Sequence, residues 1–350
     1  MLLITHLFYV QSAFCDDEIK SEFIYRSPEE RREAGLKTEL TDWLTISGLI
    51  EVERAKESST YVSNIPDIDV DDDVETLQLA LEAEFSDNIK AVVVYELEKN
   101  EKNVTKSTLE EAVLIIDIND FEIEAGRQTV PFGEFYSHFI TDPFLSFGEK
   151  LDDNIVLTYE ANVYVDIAAF VSEGVASQEG EKTRDWGFNI ELRNAEESIK
   201  VSVGYLSDLA DTDELLLQDF NNTYQERVPA WNVNALLGFD SFEVTIELVE
   251  ALDSFVELEK NADRPSAFNI EIAYFPHPDI QIAIRSETSK ELEDAAEKQY
   301  GISTTLVFAG SMTFSIEYLT GTFKRDFVVD DDDRSFDKTE TFAFQFAFAF

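Results

Sequence analysis

Thr339-Glu-Thr-Phe-Ala-Phe-Gln-Phe-Ala-Phe-Ala-Phe350 is the stretch that decides the fold. Phe342, Phe344, Phe346, Phe348 and Phe350 share one face of an extended chain, and Thr341, Ala343, Gln345, Ala347 and Ala349 share the other. Side chains alternate across a strand, so rings point to one side and small or polar groups to the other. A half-buried strand in a soluble sandwich does not need an unbroken row of phenylalanines. A strand with hydrocarbon on one face and water on the other does.

The same alternation recurs upstream. Leu77, Leu79, Leu81, Ala83 and Phe85 alternate with Gln78, Ala80, Glu82 and Glu84, and Trp186, Phe188, Ile190 and Leu192 alternate with Gly187, Asn189, Glu191 and Arg193. Phe242 to Leu248, Phe268 to Tyr274 and Ile280 to Ile284 repeat it. The pattern predicts sixteen strands at 41–54, 73–86, 89–99, 107–118, 121–129, 152–160, 162–173, 183–194, 197–207, 227–239, 241–252, 266–275, 279–289, 298–309, 311–324 and 338–350. Short connections such as Ser86-Asp87-Asn88, Asn119-Asp120, Glu160-Ala161, Phe239-Asp240-Ser241 and Pro276-His277-Pro278 alternate with long ones at 55–72, 130–151, 208–226, 253–265 and 325–337. The expected fold is therefore all-β: a 16-stranded antiparallel transmembrane β-barrel over 41–350, porin-like, with short periplasmic turns and long external loops. Closure leaves no sheet edge to aggregate.

Composition supports this reading. The chain has 350 residues, 44% apolar, with 28 Phe, and a formal net charge of −46. After the N-terminus no run approaches the ~20 apolar residues that a membrane helix needs. Such acidity excludes nucleic acid as a partner, and the dense aromatic and β-branched content argues against disorder. Residues 1–15, MLLITHLFYVQSAFC, resemble a secretory signal peptide without its basic start, which addresses the chain to the cell outer membrane. Removing them takes away Cys15, the one cysteine, and with it any disulfide or thiolate metal site. Residues 16–40 read as a short periplasmic leader, with a brief helix Pro28–Ala34 capped by Ser27. Phe346, Phe348 and Phe350 resemble the terminal signal read by the outer-membrane assembly machinery.

The connection after the fifth strand is the unusual one. It carries Phe132, Phe135, Phe139, Phe144 and Phe147, rings that external water would not favour and that the inside of a barrel wall could bury. It falls at the ordinal place of the third loop of sixteen-stranded porins, which folds inward and narrows the pore. The expected constriction loop, 129–150 with its entry, holds Arg127, Gln128, Pro131, Phe132, Gly133, Glu134, Phe135, Asp142 and Pro143. GRQTVPFGEFYSHFITDPF (126–144) and RSPEERREAGLKTELTDWLTISGLIEVE (26–53) resemble the LbtU-type siderophore porins. In that family's loop pattern, Arg127, Gln128, Pro131, Phe132, Gly133, Asp142 and Pro143 have counterparts. The resemblance implies an outer-membrane channel for uptake of small solutes, with ferric siderophores as the cargo.

Inward-facing side chains are mostly acidic. Glu82, Glu84, Glu96, Glu98, Glu122, Glu124, Asp166, Glu191, Glu243, Glu247, Glu271 and Glu317 are expected to line the lumen with Lys90, Arg193, Lys200 and Arg285. Excess carboxylate in a low-dielectric wall concentrates cations, which sits awkwardly with negatively charged ferric siderophores. Asp67, Asp69, Asp71, Asp72 and Asp73, and again Asp330 to Asp333, are expected on external loops. They lack EF-hand spacing and read as solvated loops, with Ca2+ or an ion bridge to lipopolysaccharide as the alternative. No cofactor is implied. His6, His138 and His277 are the only histidines, and no GxSxG, HExxH, P-loop or Rossmann fingerprint occurs, so an enzyme is not expected. The rival readings are a barrel sheath around a multihaem cytochrome and a general diffusion porin.

Overall fold

The computed structural model describes residues 37–350 apart from 63–67, 101–103, 179–180, 196–197, 213–215, 217–222, 259–261, 293–294, 309–310 and 325–334. The signal segment, the leader helix, Asp67 and Asp330 to Asp333 lie outside the described residues. The strands are β1 Thr38–Thr41, β2 Leu44–Tyr61, β3 Ile68–Ser86, β4 Ile89–Asn100, β5 Thr105–Ile118, β6 Phe121–Thr129, β7 Leu151–Asn162, β8 Val165–Gln178 and β9 Glu181–Arg193. They continue as β10 Ile199–Leu206, β11 Thr223–Tyr224, β12 Ala230–Phe239, β13 Phe242–Ala251, β14 Ser266–His277, β15 Ile280–Lys290, β16 Lys298–Phe308, β17 Met312–Thr322 and β18 Phe336–Ala349.

Sixteen of these form a closed antiparallel ring. Each pairs with its neighbour in sequence, β10 pairs with β12, and β18 closes on β2 from Phe336 opposite Tyr61 to Ala349 opposite Leu49. The short β1 pairs with the start of β2, and β11 lies parallel to β8. Closure satisfies the backbone of every wall strand, which is what a strand facing lipid requires.

Alternation holds around the ring. Phe342, Phe344 and Phe346 point outward and are exposed, whereas Ala343, Gln345 and Ala347 point inward and are buried. Near the short turns the outer face carries stacked pairs, Phe121 on Tyr159 and Phe242 on Tyr274, each with ring centroids 4.8 Å apart. Towards the long loops Trp186, Phe188, Tyr205 and Trp231 cluster on β9, β10 and β12. Beyond that belt the outer face becomes charged, with Lys99 at 3.2 Å from Glu75 and Arg264 at 3.1 Å from Glu250. An apolar band between aromatic edges is a surface built to meet lipid.

Several expected boundaries move. The loop expected at 55–72 is largely strand, because β2 and β3 run on to Tyr61 and back from Ile68. Asp69, Asp71, Asp72 and Asp73 thus belong to β3, and Asp73 pairs with Arg54. The turn expected at Glu160-Ala161 is Val163-Tyr164, and β14 runs through His277. Arg127 and Gln128 lie in β6, not in a loop. Asn119 and Asp240 adopt positive φ (55° and 48°) in their two-residue turns, as short Asn and Asp side chains tolerate.

Gly126 answers a bulge. In β5, Glu110 is the extra residue, since Val94 faces Glu111 while Tyr95 faces Leu109. Gly126 on β6 has φ +144°, and a Cβ there would stand 2.0 Å from the Ala112 carbonyl oxygen. Gly126→Ala should lower barrel stability by about 2 kcal/mol or more, read as a lower urea midpoint; an unchanged midpoint would refute this constraint.

Asp208, in the connection after β10, is fully buried and accepts a hydrogen bond from the Ala210 amide at 3.1 Å. Burial pushes its carboxyl up to about 6, against the opposing pull of hydrogen bonds from Tyr224, Ala210 and Val228. A carboxyl raised in the folded state favours folding only while protonated, so its contribution is lost as pH rises from about 4 to about 6. Asp208→Asn should be more stable than the parent at pH 8, with the gap closing by pH 4; a gap independent of pH would contradict the assignment.

Candidate functional site

The connection 130–150 lies inside the barrel. Its apolar side chains account for the position. Val130, Phe132, Leu145 and Phe147 are buried in a cluster with wall residues Val156, Phe170, Leu206, Ala230, Val249 and Ala267. Phe139 packs on Ala273, Ala283 and Leu319. Phe135 and Phe144 are half-buried against the first cluster. A glycine permits the close approach: a Cβ on Gly204 of β10 would sit 2.0 Å from the carbonyl oxygen of Phe132.

Burying an irregular segment leaves its N–H groups in need of acceptors. Carboxylates of the wall supply them. Glu247 of β13 accepts from the amides of Glu134 and Phe135, each at 3.0 Å, and from Asn232 Nδ2 at 2.6 Å. Phe135 has φ +50°, a left-handed residue that lets two successive N–H groups converge on one anion. Glu271 of β14 accepts from the His138 amide at 2.7 Å and from Ser137 Oγ at 2.9 Å. Glu317 of β17 accepts from the Ile140 amide at 2.7 Å and the Thr141 amide at 3.2 Å, and Glu287 of β15 from the Phe144 amide at 2.8 Å. Phe144–Gly148 then forms one 3-10 turn before the chain returns to β7.

One base sits among these acids. Arg285 of β15 donates to Glu271 Oε1 at 2.8 Å and to the Thr141 carbonyl at 2.9 Å, with its guanidinium 4.3 Å above the Phe139 ring. His138 Nε2 lies 3.1 Å from Glu243 Oε1, and the Tyr136 hydroxyl 3.0 Å from His138 Nδ1. At the root of the loop, buried Lys150 reaches Asp185 at 2.8 Å.

A cavity of about 700 Å3 lies beside the loop, lined by wall residues of β2–β4, β10, β12–β14 and β18. Glu51, Glu53, Glu98 and Glu247 line it on the wall side, and Glu134, Asp142 and Glu149 on the loop side. Phe135, Tyr136, Phe139 and Ile140 supply its apolar surface, and Lys200 is its single basic side chain among the described residues.

These positions re-sort the acids read from the sequence. Glu243, Glu247, Glu271, Glu317 and Arg285 point inward as the alternation requires, yet the loop covers them. Of these five only Glu247 reaches the cavity wall. Asp166 and Glu191 hold Arg193, Glu96 accepts from Gln78 at 2.7 Å, and Glu82 lies 3.6 Å from Lys37. Glu84, Glu122 and Glu124 stand on β3 and β6, away from the cavity. Arg127 turns outward and donates to the Leu109 carbonyl at 2.7 Å, while Gln128 is buried against Asn154 at 3.1 Å; neither faces the cavity. Of the expected loop set, Phe132 is buried in the core, while Glu134, Phe135 and Asp142 line the cavity. Sequence reading missed Glu51, Glu53, Glu149 and Glu287. Extending the alternation by two and four residues from Leu49 and by two from Arg285 would have found three of them.

Comparison with known proteins bears on this geometry. An anion-selective porin from Comamonas acidovorans superposes with a TM-score of 0.66 at 10% identity, covering 88% of this chain and 99% of that one. The barrel has the porin fold. Salmonella typhi OmpF, in complex with daunomycin, gives 0.62 at 11% identity over 90% of this chain and 100% of its own. The outer membrane channel DcaP of Acinetobacter baumannii gives 0.61 at 14% identity, over 90% and 99%. No family model and no curated protein matches the sequence.

Removing one anchor tests the arrangement. Glu317→Ala should speed hydrogen exchange of the Ile140 and Thr141 amides by roughly ten- to a hundredfold, the loss of charge-assisted bonds. Glu317→Gln keeps an acceptor and should fall between. Equal protection in parent and alanine variant would show that the carboxylate does not hold the loop.

Proposed function

We propose that the chain is an outer-membrane channel for small solutes, narrowed by the loop 130–150 and favouring cations. The observation that carries this is the cavity beside the loop, lined by seven carboxylates and one ammonium group. In a low-dielectric wall such an excess lowers the energy of a passing cation and raises that of an anion. The loop supports a fixed constriction, because wall carboxylates or Arg285 bind it at 134–135, 137–138, 140–141 and 144.

The likeness to LbtU-type siderophore porins adds ferric siderophores as a cargo. The electrostatics favour those with net positive or zero charge over anionic ones. A sheath for a multihaem cytochrome requires a clear lumen, and the loop with its apolar cluster occupies that space. A general diffusion porin differs from the proposal only in lacking preference, which conduction distinguishes. An enzymatic role gains no support from the histidines: His138 is buried against Glu243, and His277 stands at a short turn beside Asp279.

In a planar bilayer under a KCl gradient, the reversal potential should take the sign of K+ selectivity. Glu51→Gln with Glu53→Gln should move the permeability ratio toward unity by about twofold or more, since both carboxylates line the cavity from β2. Anion selectivity in the parent would overturn the proposal.

A further inference from the structure

The cavity wall holds two polar groups that no other described residue uses. Thr245 of β13 and Asn269 of β14 line the cavity beside Glu247. They are only 8% and 2% exposed. Among the described residues, Thr245 Oγ1 and Asn269 Oδ1 have no hydrogen-bond partner. Asn269 spends its amide nitrogen on Glu271 at 3.1 Å, which leaves its oxygen as the acceptor without a bond. Buried oxygens without partners are uncommon, because each forfeits its bond to water. Here two lie together in a cavity rich in carboxylates.

A bare metal ion does not explain the set. The same cavity presents the faces or edges of Phe135, Tyr136 and Phe139 and the side chain of Ile140, and the described residues contain no group of three or more acids close enough to hold a metal. We infer that the cavity is a resting site for solutes that carry a primary ammonium group on an apolar body. The inference rests on the cation-favouring channel proposed above and names the solute class that the channel would hold longest. In it the carboxylates supply the charge, the rings and Ile140 cover the hydrocarbon, and the aromatic faces attract the cation itself. Thr245 Oγ1 and Asn269 Oδ1 accept N–H bonds. A quaternary ammonium has the same charge and no N–H to give, so it satisfies all but the last condition.

That difference is the test. The full chain is reconstituted in a planar bilayer carrying K+ current, and phenethylammonium and its N,N,N-trimethyl analogue are added in turn. Phenethylammonium should interrupt the current with dwell times about fivefold or more longer than the analogue, the worth of an ordinary hydrogen bond. Thr245→Val removes the hydroxyl without changing shape, and should shorten the phenethylammonium dwell more than that of the trimethyl analogue. Should that variant fail to fold, the pair of amines on the unaltered chain decides alone. Equal dwell times for the two amines, or no interruption by either in a barrel that still prefers K+, would overturn the inference and leave the channel reading standing. A barrel without cation preference would overturn both.

Discussion

A carboxylate withdrawn from water and handed backbone N–H groups instead is the interaction on which the interior depends. Glu247, Glu271, Glu287 and Glu317 stand on four strands of one side of the barrel, and each is buried. Alone, each would lose several kcal/mol of hydration. The loop amides would lose theirs as well. Brought together, donors and acceptors satisfy each other through charge-assisted bonds, and Arg285 offsets part of the accumulated negative charge. Apolar packing of Phe132, Leu145 and Phe147 brings the loop to the wall, and the carboxylates fix its register.

The same arrangement divides the acids by use. An inward glutamate beneath the loop is structural, and one opposite the loop faces solute. Residue type and strand face do not tell the two apart. Only the cover does, and the cover comes from a segment more than a hundred residues distant in sequence from Glu247, Glu271 and Glu317.

This explains what could be read from the chain and what could not. Alternation is a local property, so the sixteen wall strands and the face of Phe342 or Glu271 were legible. The five loop phenylalanines were equally plain, because such rings demand burial. The upper ends of β2 and β3 were not. Once the wall rises above the lipid its outer face turns to Arg54, Asp73 and Glu75, and the apolar period that betrays a strand fades. Arg127 was grouped with the loop through the family's loop pattern, whereas β6 carries it to the outer face. Three of the four wall anchors, Glu247, Glu271 and Glu317, could be placed inward, but not beneath the loop, since that contact has no local pattern.

The strands that join to close the ring, β2 and β18, pair residues as far apart as Leu49 and Ala349. Every other wall pairing joins strands close together in sequence, so hairpins can form early and add one to the next. The last pairing has no such shortcut. Until β18 is in place the sheet has two raw margins, each a row of unpaired N–H and C=O groups able to template onto any strand nearby. Loop closure over so long a span is slow and entropically costly. The nascent wall is therefore at greatest risk of joining the wrong neighbour just before it becomes a barrel, and whatever escorts it must guard two edges at once.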